Sequence, residues 1–331
     1  MSRHGLSFDS LGQSLPQPLK PAARRIRDIA SGTWPGFVAD WRLARTTRTP
    51  ETFSEKVRYR IAYDRRPLLT TLADKVAVRD YVGDRLGQQS LAPVYGVYES
   101  PRDIPWASLP REFVLKASHG SGAVVAVWDG APRGARLPES ARFVDWDRFG
   151  VRPEHASPPR LEAIAEKWMT LNYHYGPGRL PEWAYRDVPP RVIVEHLLPG
   201  VGGALPSDYK CLVFDGVCQL FYVVVGRFGD HRIAVFNADG TPAQVRMTYP
   251  SPDVVPELAP NWRELIAAAE KLGSGLDFVR ADLYPIEGDV VFGEMTIYHD
   301  AGHNGWYPQS FDREIGSWWT LPHEEDLKGP A

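Results

Sequence analysis

The hydrophobic and polar positions of this chain change period several times, and each change marks an element. From Thr52 to Arg85 apolar residues recur at helical spacing, first Phe53, Val57 and Ile61, then Leu72, Val76 and Val82, which predicts a helical region. SLAPVYGVYESPRDIP reads as a short strand and loop closed by Leu109-Pro110. REFVLKASHGSGAVVAVWDG predicts a strand over Phe113–Ala117, a tip of His119, Gly120, Ser121 and Gly122, and a second strand over Ala123–Trp128. Residues 129–160 show no periodicity and read as a connection. From Pro159 a helix carries Leu161, Ile164, Ala165 and Trp168 on one face, and RVIVEHLLPG then gives a buried strand, Val192–Glu195. Two β-rich runs flank Asp215-Gly216, a strong hairpin signal. Residues 261–273 form a helix with Gly273 as its C-cap. That helix leads into a last hairpin, Phe278–Tyr284 and Asp289–Ile297, and the Trp-rich tail is expected to cover the cleft that follows.

The last hairpin carries the chemistry. Side chains alternate along a strand, so Arg280, Asp282 and Tyr284 share one face, and Glu294 and Thr296 share one on the partner. Paired strands would bring Asp282 and Glu294 to one space. Two carboxylates there repel unless a cation lies between them, and hard oxygen ligands suit Mg²⁺, which bridges to phosphate. Arg280 stands where it could stabilise an oxyanion. The plainer alternative is a surface hairpin with solvated charges. Lys116, set in an apolar strand, needs a partner; it lies at the base of a Gly/Ser tip whose N–H groups can close over phosphates. Lys210 interrupts another strand and Arg227 closes the next. Glu195 followed by Leu197-Leu198 fits an adenine hinge or an ordinary strand end. Tyr173, His174, Tyr175, Trp183 and Tyr185 could stack a ring or simply pack.

Composition narrows the setting. With 331 residues, 43% of them hydrophobic and 24% charged, the chain is ordinary for a globular protein of two or three subdomains. The organisation expected is a basic N-terminal extension (1–50), a helical region (51–110), and two further units, 111–200 and 201–331. A net charge of −3 gives no sign of a nucleic-acid partner. Neither a membrane span nor the apolar stretch of a signal peptide is present, so the reading is cytoplasmic. Cys211 and Cys218 are expected as reduced, buried thiols. The extension reads either as a helical arm touching an acidic partner, a membrane surface or polysaccharide machinery, or as a solvated helix face.

Taken in order, DKVAVRDYV, LPREFVLKASHGSG, RVIVEHLL, DYKCLVFDG, FVRADLY, FGEMTIYHDAG and FDREIG resemble the TupA-like ATP-grasp family over roughly residues 50–317. The resemblance implies an α+β ATP-grasp fold, two α+β subdomains clasping ATP, with ATP and Mg²⁺ as cofactors. It implies that Lys116 contacts phosphates under the His119–Gly122 lid, that Glu195, Leu197 and Leu198 form the adenine hinge, and that Lys210 contacts the nucleotide. It further implies that Asp282 and Glu294 hold Mg²⁺ while Arg280 stabilises the developing oxyanion. Thr296 stands where many such enzymes have a metal-binding Asn, and Gly202 where an acidic ribose ligand is common, with Asp208 as a substitute.

The implied activity is ATP-dependent joining of a small-molecule carboxylate to an amine through an acylphosphate, on a glycan precursor or metabolite. Two alternatives stand beside it. A kinase would need a base such as His299, Asp300 or His303, and a non-catalytic nucleotide-binding scaffold would work through the basic extension. His174, Arg186, Arg227, His303 and Asn304 are candidate substrate contacts. Oligomeric state is not legible.

Overall fold

Local signals set each helix of the first region. Thr52 caps helix α1 (Phe53–Tyr63): its hydroxyl accepts from the Glu55 N–H at 3.2 Å, and the Glu55 carboxylate accepts from the Thr52 N–H at 3.0 Å. Pro67 opens α2 (Pro67–Ala73) at a position where its missing N–H costs nothing. Val76 falls in the turn before α3 (Val78–Leu86), and the expected helical region is built of three short helices. The computed structural model of the protein describes residues 49–175, 180–226, 231–303 and 305–328. The basic extension up to residue 48, Arg227 and Asn304 lie outside the described residues.

Two five-stranded sheets follow. The first runs β1 (Val94–Tyr98), β5 (Val192–Glu195), β2 (Phe113–Ala117), β3 (Val124–Val127) and β4 (Arg148–Val151) in spatial order. All its pairings are antiparallel except β3 with β4. The second is antiparallel throughout, in the order β10 (Asp289–Thr296), β9 (Phe278–Ile286), β6 (Asp208–Phe214), β7 (Val217–Val225) and β8 (Arg232–Asn237). Helix α4 (Pro158–Met169) packs on β2 and buries Leu161, Ile164, Ala165 and Trp168, the face its spacing predicts. Helix α5 (Trp262–Gly273) covers the second sheet. The region 51–110 serves both sheets: β1 is an edge of the first, while α2 packs on β10 and Phe53 of α1 meets Phe214 and Phe278 of the second.

Three sequence expectations are corrected. Residues 129–160 are not merely a connection, because they contain β4. Gly273 is the last helical residue and Ser274 the C-cap; a Cβ on Gly273 would come within 2.4 Å of the Val213 side chain, so glycine here permits close helix–sheet approach. The tail, with α6 (Ser310–Ser317), does not cover the cleft. Its Trp319 is 1% exposed and packs on Phe53, Phe278 and Arg60 instead. Cys211 and Cys218 are buried free thiols as expected, though in register Cys218 faces Val213.

Buried Arg60 ties α1 to the last hairpin. Its guanidinium donates to the Phe278 carbonyl at 2.8 Å and the Ile297 carbonyl at 3.2 Å, and it pairs with Asp277. Arg66 and the Trp319 indole complete the shell of Asp277 at 2.8 and 2.7 Å. Burial would raise the Asp277 carboxyl, but Arg60 and Arg66 outweigh it and hold the group below its usual range. The network fixes where β9 begins and β10 ends.

Candidate active site

Register explains how the second sheet assembles its polar residues. Asp282 pairs with Glu294 on one side and Lys210 on the other, and Lys210 pairs with Tyr222. Directly paired residues share a face, so Glu294, Asp282, Lys210 and Tyr222 form a row across four strands. A β-bulge makes this possible. Phe292 pairs with Leu283, yet Glu294 pairs with Asp282, because Gly293 is an extra residue on β10. Without it Glu294 would lie with Phe292 on the buried face. A Cβ on Gly293 would reach within 2.7 Å of the Tyr284 ring and 3.0 Å of the Asp282 carbonyl. Thr296 lies opposite Arg280, one row over.

The row is dense with charge. Arg280 grips Asp282 with two bonds, Nε to Oδ1 at 2.6 Å and Nη2 to Oδ2 at 2.8 Å. The Lys210 ammonium contacts the same carboxylate and lies 2.9 Å from Asp208. Lys75, just beyond the end of α2, reaches Glu294 at 3.3 Å and the Gly120 carbonyl. Burial would push the Glu294 carboxyl up, but Lys75, Arg280, Lys210 and Arg148 prevail and hold it at about 2. Asp300 is likewise held low: burial opposes, and His299, Arg280, Lys210 and Arg148 overcome it. On the first sheet Lys116 meets Glu195 at 2.5 Å, with Arg79 at 4.0 Å from the same carboxylate.

A cavity lies between the two sheets. Its lining joins Lys116, Glu195, Leu197 and Leu198 from one side to Asp282, Tyr284, Gly293 and Glu294 from the other, with Gly122 at the loop. Apolar Val114, Val124 and Ala126 form the wall of the first sheet. Leu197 packs with the Ala126, Trp128 and Ala131 cluster, whereas Leu198 packs with Ala92, Ile286 and Val291, so the dipeptide spans the junction.

Most sequence candidates converge there, and several do not. His119 is 2% exposed; its ring nitrogen lies 3.1 Å from the Trp168 carbonyl and its ring meets Trp146 edge to face, so it supports the loop from below rather than contacting a ligand. Asp208, 2% exposed beneath Lys210, is too deep to serve a ribose. Thr296 is half-buried and outside the cavity lining, as is Ser121. Arg186 pairs with exposed Asp187, and Tyr173 and Tyr185 are buried packing partners. Arg227, expected at the site, lies outside the described residues. Lys75, Arg79 and Arg148 were missed as site residues, and Tyr284 was placed only on the face of Asp282. Lys75 and Arg79 stood inside the DKVAVRDYV segment, which gave a signal; Arg148 is brought in only by tertiary packing.

The carboxylate pair fits Mg²⁺ bound with a nucleotide. Both donors are carboxylates, and among the described residues no group of three or more His, Cys, Asp or Glu could hold a metal alone. Mg²⁺ commonly takes one or two carboxylates and completes its shell with phosphate oxygens and water.

A family model, TupA-like ATP-grasp, matches residues 55–131 and 160–319. The chain belongs to this family. It has the ATP-grasp fold, α+β with its two sheets facing one cleft. No curated protein matches the sequence. Among solved structures, D-alanine–D-alanine ligase from Bacillus anthracis complexed with ATP is similar at 12% identity and TM-score 0.38, covering 78% of this chain and 64% of that one. ATP-grasp ligase PsnB complexed with minimal precursor, Mg and ADP aligns at 12% identity and TM-score 0.34, covering 70% and 52%. N5-carboxyaminoimidazole ribonucleotide synthetase from Thermus thermophilus aligns at 12% and 0.37, covering 74% and 51%. The chain thus spans 51–64% of the length of these three. Among the described residues no helix is long and apolar enough to cross a membrane.

Proposed function

We propose that the protein is an ATP-dependent carboxylate–amine ligase. The observation that carries this reading is the pair Glu294 and Asp282, with Lys210 behind Asp282 outside the lining, facing across one cavity Lys116 and the Glu195–Leu198 hinge. Adenine would lie against Leu197, Leu198, Val114 and Ala126, and the phosphates would lie toward Lys116, Lys75 and Gly122. Asp282 and Glu294 would hold Mg²⁺, which supplies charge neutralisation and alignment of the phosphates when bound.

Phosphoryl transfer needs positioning and charge stabilisation more than covalent help. The substrate carboxylate attacks the γ-phosphorus, ADP leaves, and an acylphosphate forms. The amine then attacks the acyl carbon, inorganic phosphate departs, and the nitrogen sheds its proton. Arg280 stabilises negative charge developing on the transferred group, and the glycine loop excludes water that would hydrolyse the acylphosphate. Family association supports a glycan precursor or small metabolite as carboxylate and an amino acid or other amine as acceptor. A cytoplasmic setting and a surface role for the basic extension belong to the same proposal.

A kinase is the second reading, in which the Asp300 carboxylate, 3.8 Å from buried His299, would be the group that takes a hydroxyl proton. The two part in a simple assay. ADP release with Mg-ATP would be followed against uronic acids, amino sugars and amino acids, singly and in pairs. The ligase reading expects ADP only when a carboxylate and an amine are both present, and none in Glu294→Gln. ADP with a single hydroxyl compound establishes the kinase.

A further inference from the structure

The segment between the two family-matched stretches, residues 132–159, builds part of the cleft. Its strand β4 runs parallel to β3, with Arg148 paired to Val124, which is itself paired to Lys116. Paired residues share a face, so Arg148, Val124 and Lys116 form a row across the first sheet. All three line the cavity that Glu294 lines from the other side. The adjoining pair, Val114 and Ala126, is apolar and leads to Glu195 and the hinge. One end of this wall therefore suits a base, and the Lys116–Arg148 end suits anionic groups.

The same segment fixes the loop beside that end. A Cβ on Gly120 would come within 2.3 Å of the Trp146 ring, and one on Gly122 within 2.2 Å of the Trp146 carbonyl. The Val124 N–H donates to the Asp147 carbonyl at 3.2 Å, and the Trp168 indole donates to the Asp145 carbonyl at 3.0 Å. Arg148 is thus presented by an anchored strand. Its partnering also differs from its neighbours'. Lys75 and Lys116 are each committed to a carboxylate, whereas exposed Arg148 makes no ion pair within 4.0 Å among the described residues.

We propose that Arg148, delivered by strand β4, binds the terminal phosphate of the nucleotide in this cleft. The inference rests on the nucleotide reading above. A guanidinium offers a planar fork that matches phosphate oxygens, and an uncommitted one has no existing pair to break.

The test is a calorimetric titration of wild type, Arg148→Ala and Arg148→Lys with AMP, Mg-ADP and Mg-ATP. Because Arg148 is exposed, the variants should melt close to wild type. Arg148→Ala is expected to lose about 10- to 100-fold in Mg-ATP affinity while AMP affinity stays within about twofold, with Arg148→Lys in between. Equal Mg-ATP affinity in wild type and Arg148→Ala would overturn the inference, as would a loss that extends equally to AMP. A wild type that binds none of the three overturns the nucleotide reading itself, an outcome distinct from a silent Arg148.

Discussion

Glu294 shows how one residue links the charge balance of the cleft to stability. Its folded pKa of about 2 lies below the ordinary 4.5, so its contribution is present above pH 4.5 and is lost as pH falls through 2. At neutral pH that contribution is up to roughly 3 kcal/mol. Urea unfolding followed between those limits should steepen in wild type and flatten in Glu294→Gln; parallel curves would show that the cations do not favour its charged form. Gly122 makes a second prediction. Its φ is +86° and a Cβ would strike the Trp146 carbonyl, so Gly122→Ala should cost about 1–3 kcal/mol in denaturant unfolding. At this scale the sequence was informative wherever a charge interrupted an apolar strand, as at Lys116, Lys210 and Asp282. It was silent on Lys75's reach to Glu294 and on His119's turn away from the cleft, because both depend on where distant backbone lies.

Between elements, the decisive features are the bulge at Gly293 and the Arg60–Asp277 network. The hairpin itself was legible, since turn residues and β-branched runs mark it. Its bulge was not, since a single glycine in a strand pattern fits several geometries. β4 was missed because four residues, RFGV, paired in parallel to a distant strand, leave no local period. Asp277 joins α1, β9 and the tail, so Asp277→Ala leaves buried Arg60 with only the longer 3.7 Å pairing to Asp64. A loss of about 3–5 kcal/mol is expected by chemical denaturation. A loss below about 1 kcal/mol would mean that the ion pair is dispensable to the seating of the hairpin.

Across the whole molecule, two sheets turn complementary rows of charge toward one cavity. Seven short segments in order made family and fold readable, while the path of residues 132–159 was not. In the free protein the carboxylates Glu195, Asp282 and Glu294 are all countered by Lys or Arg side chains. On the proposed reading, phosphates would draw off the lysines and leave the carboxylates able to hold Mg²⁺, so nucleotide and metal should bind together. The most direct test of the account is a titration with a non-hydrolysable ATP analogue, with and without Mg²⁺, in wild type and Glu294→Gln. The account predicts saturable one-to-one binding that Mg²⁺ tightens at least about tenfold in wild type, a coupling of about 1.4 kcal/mol, and little in the variant. Absence of saturable binding, or binding indifferent to both Mg²⁺ and Glu294, would contradict it.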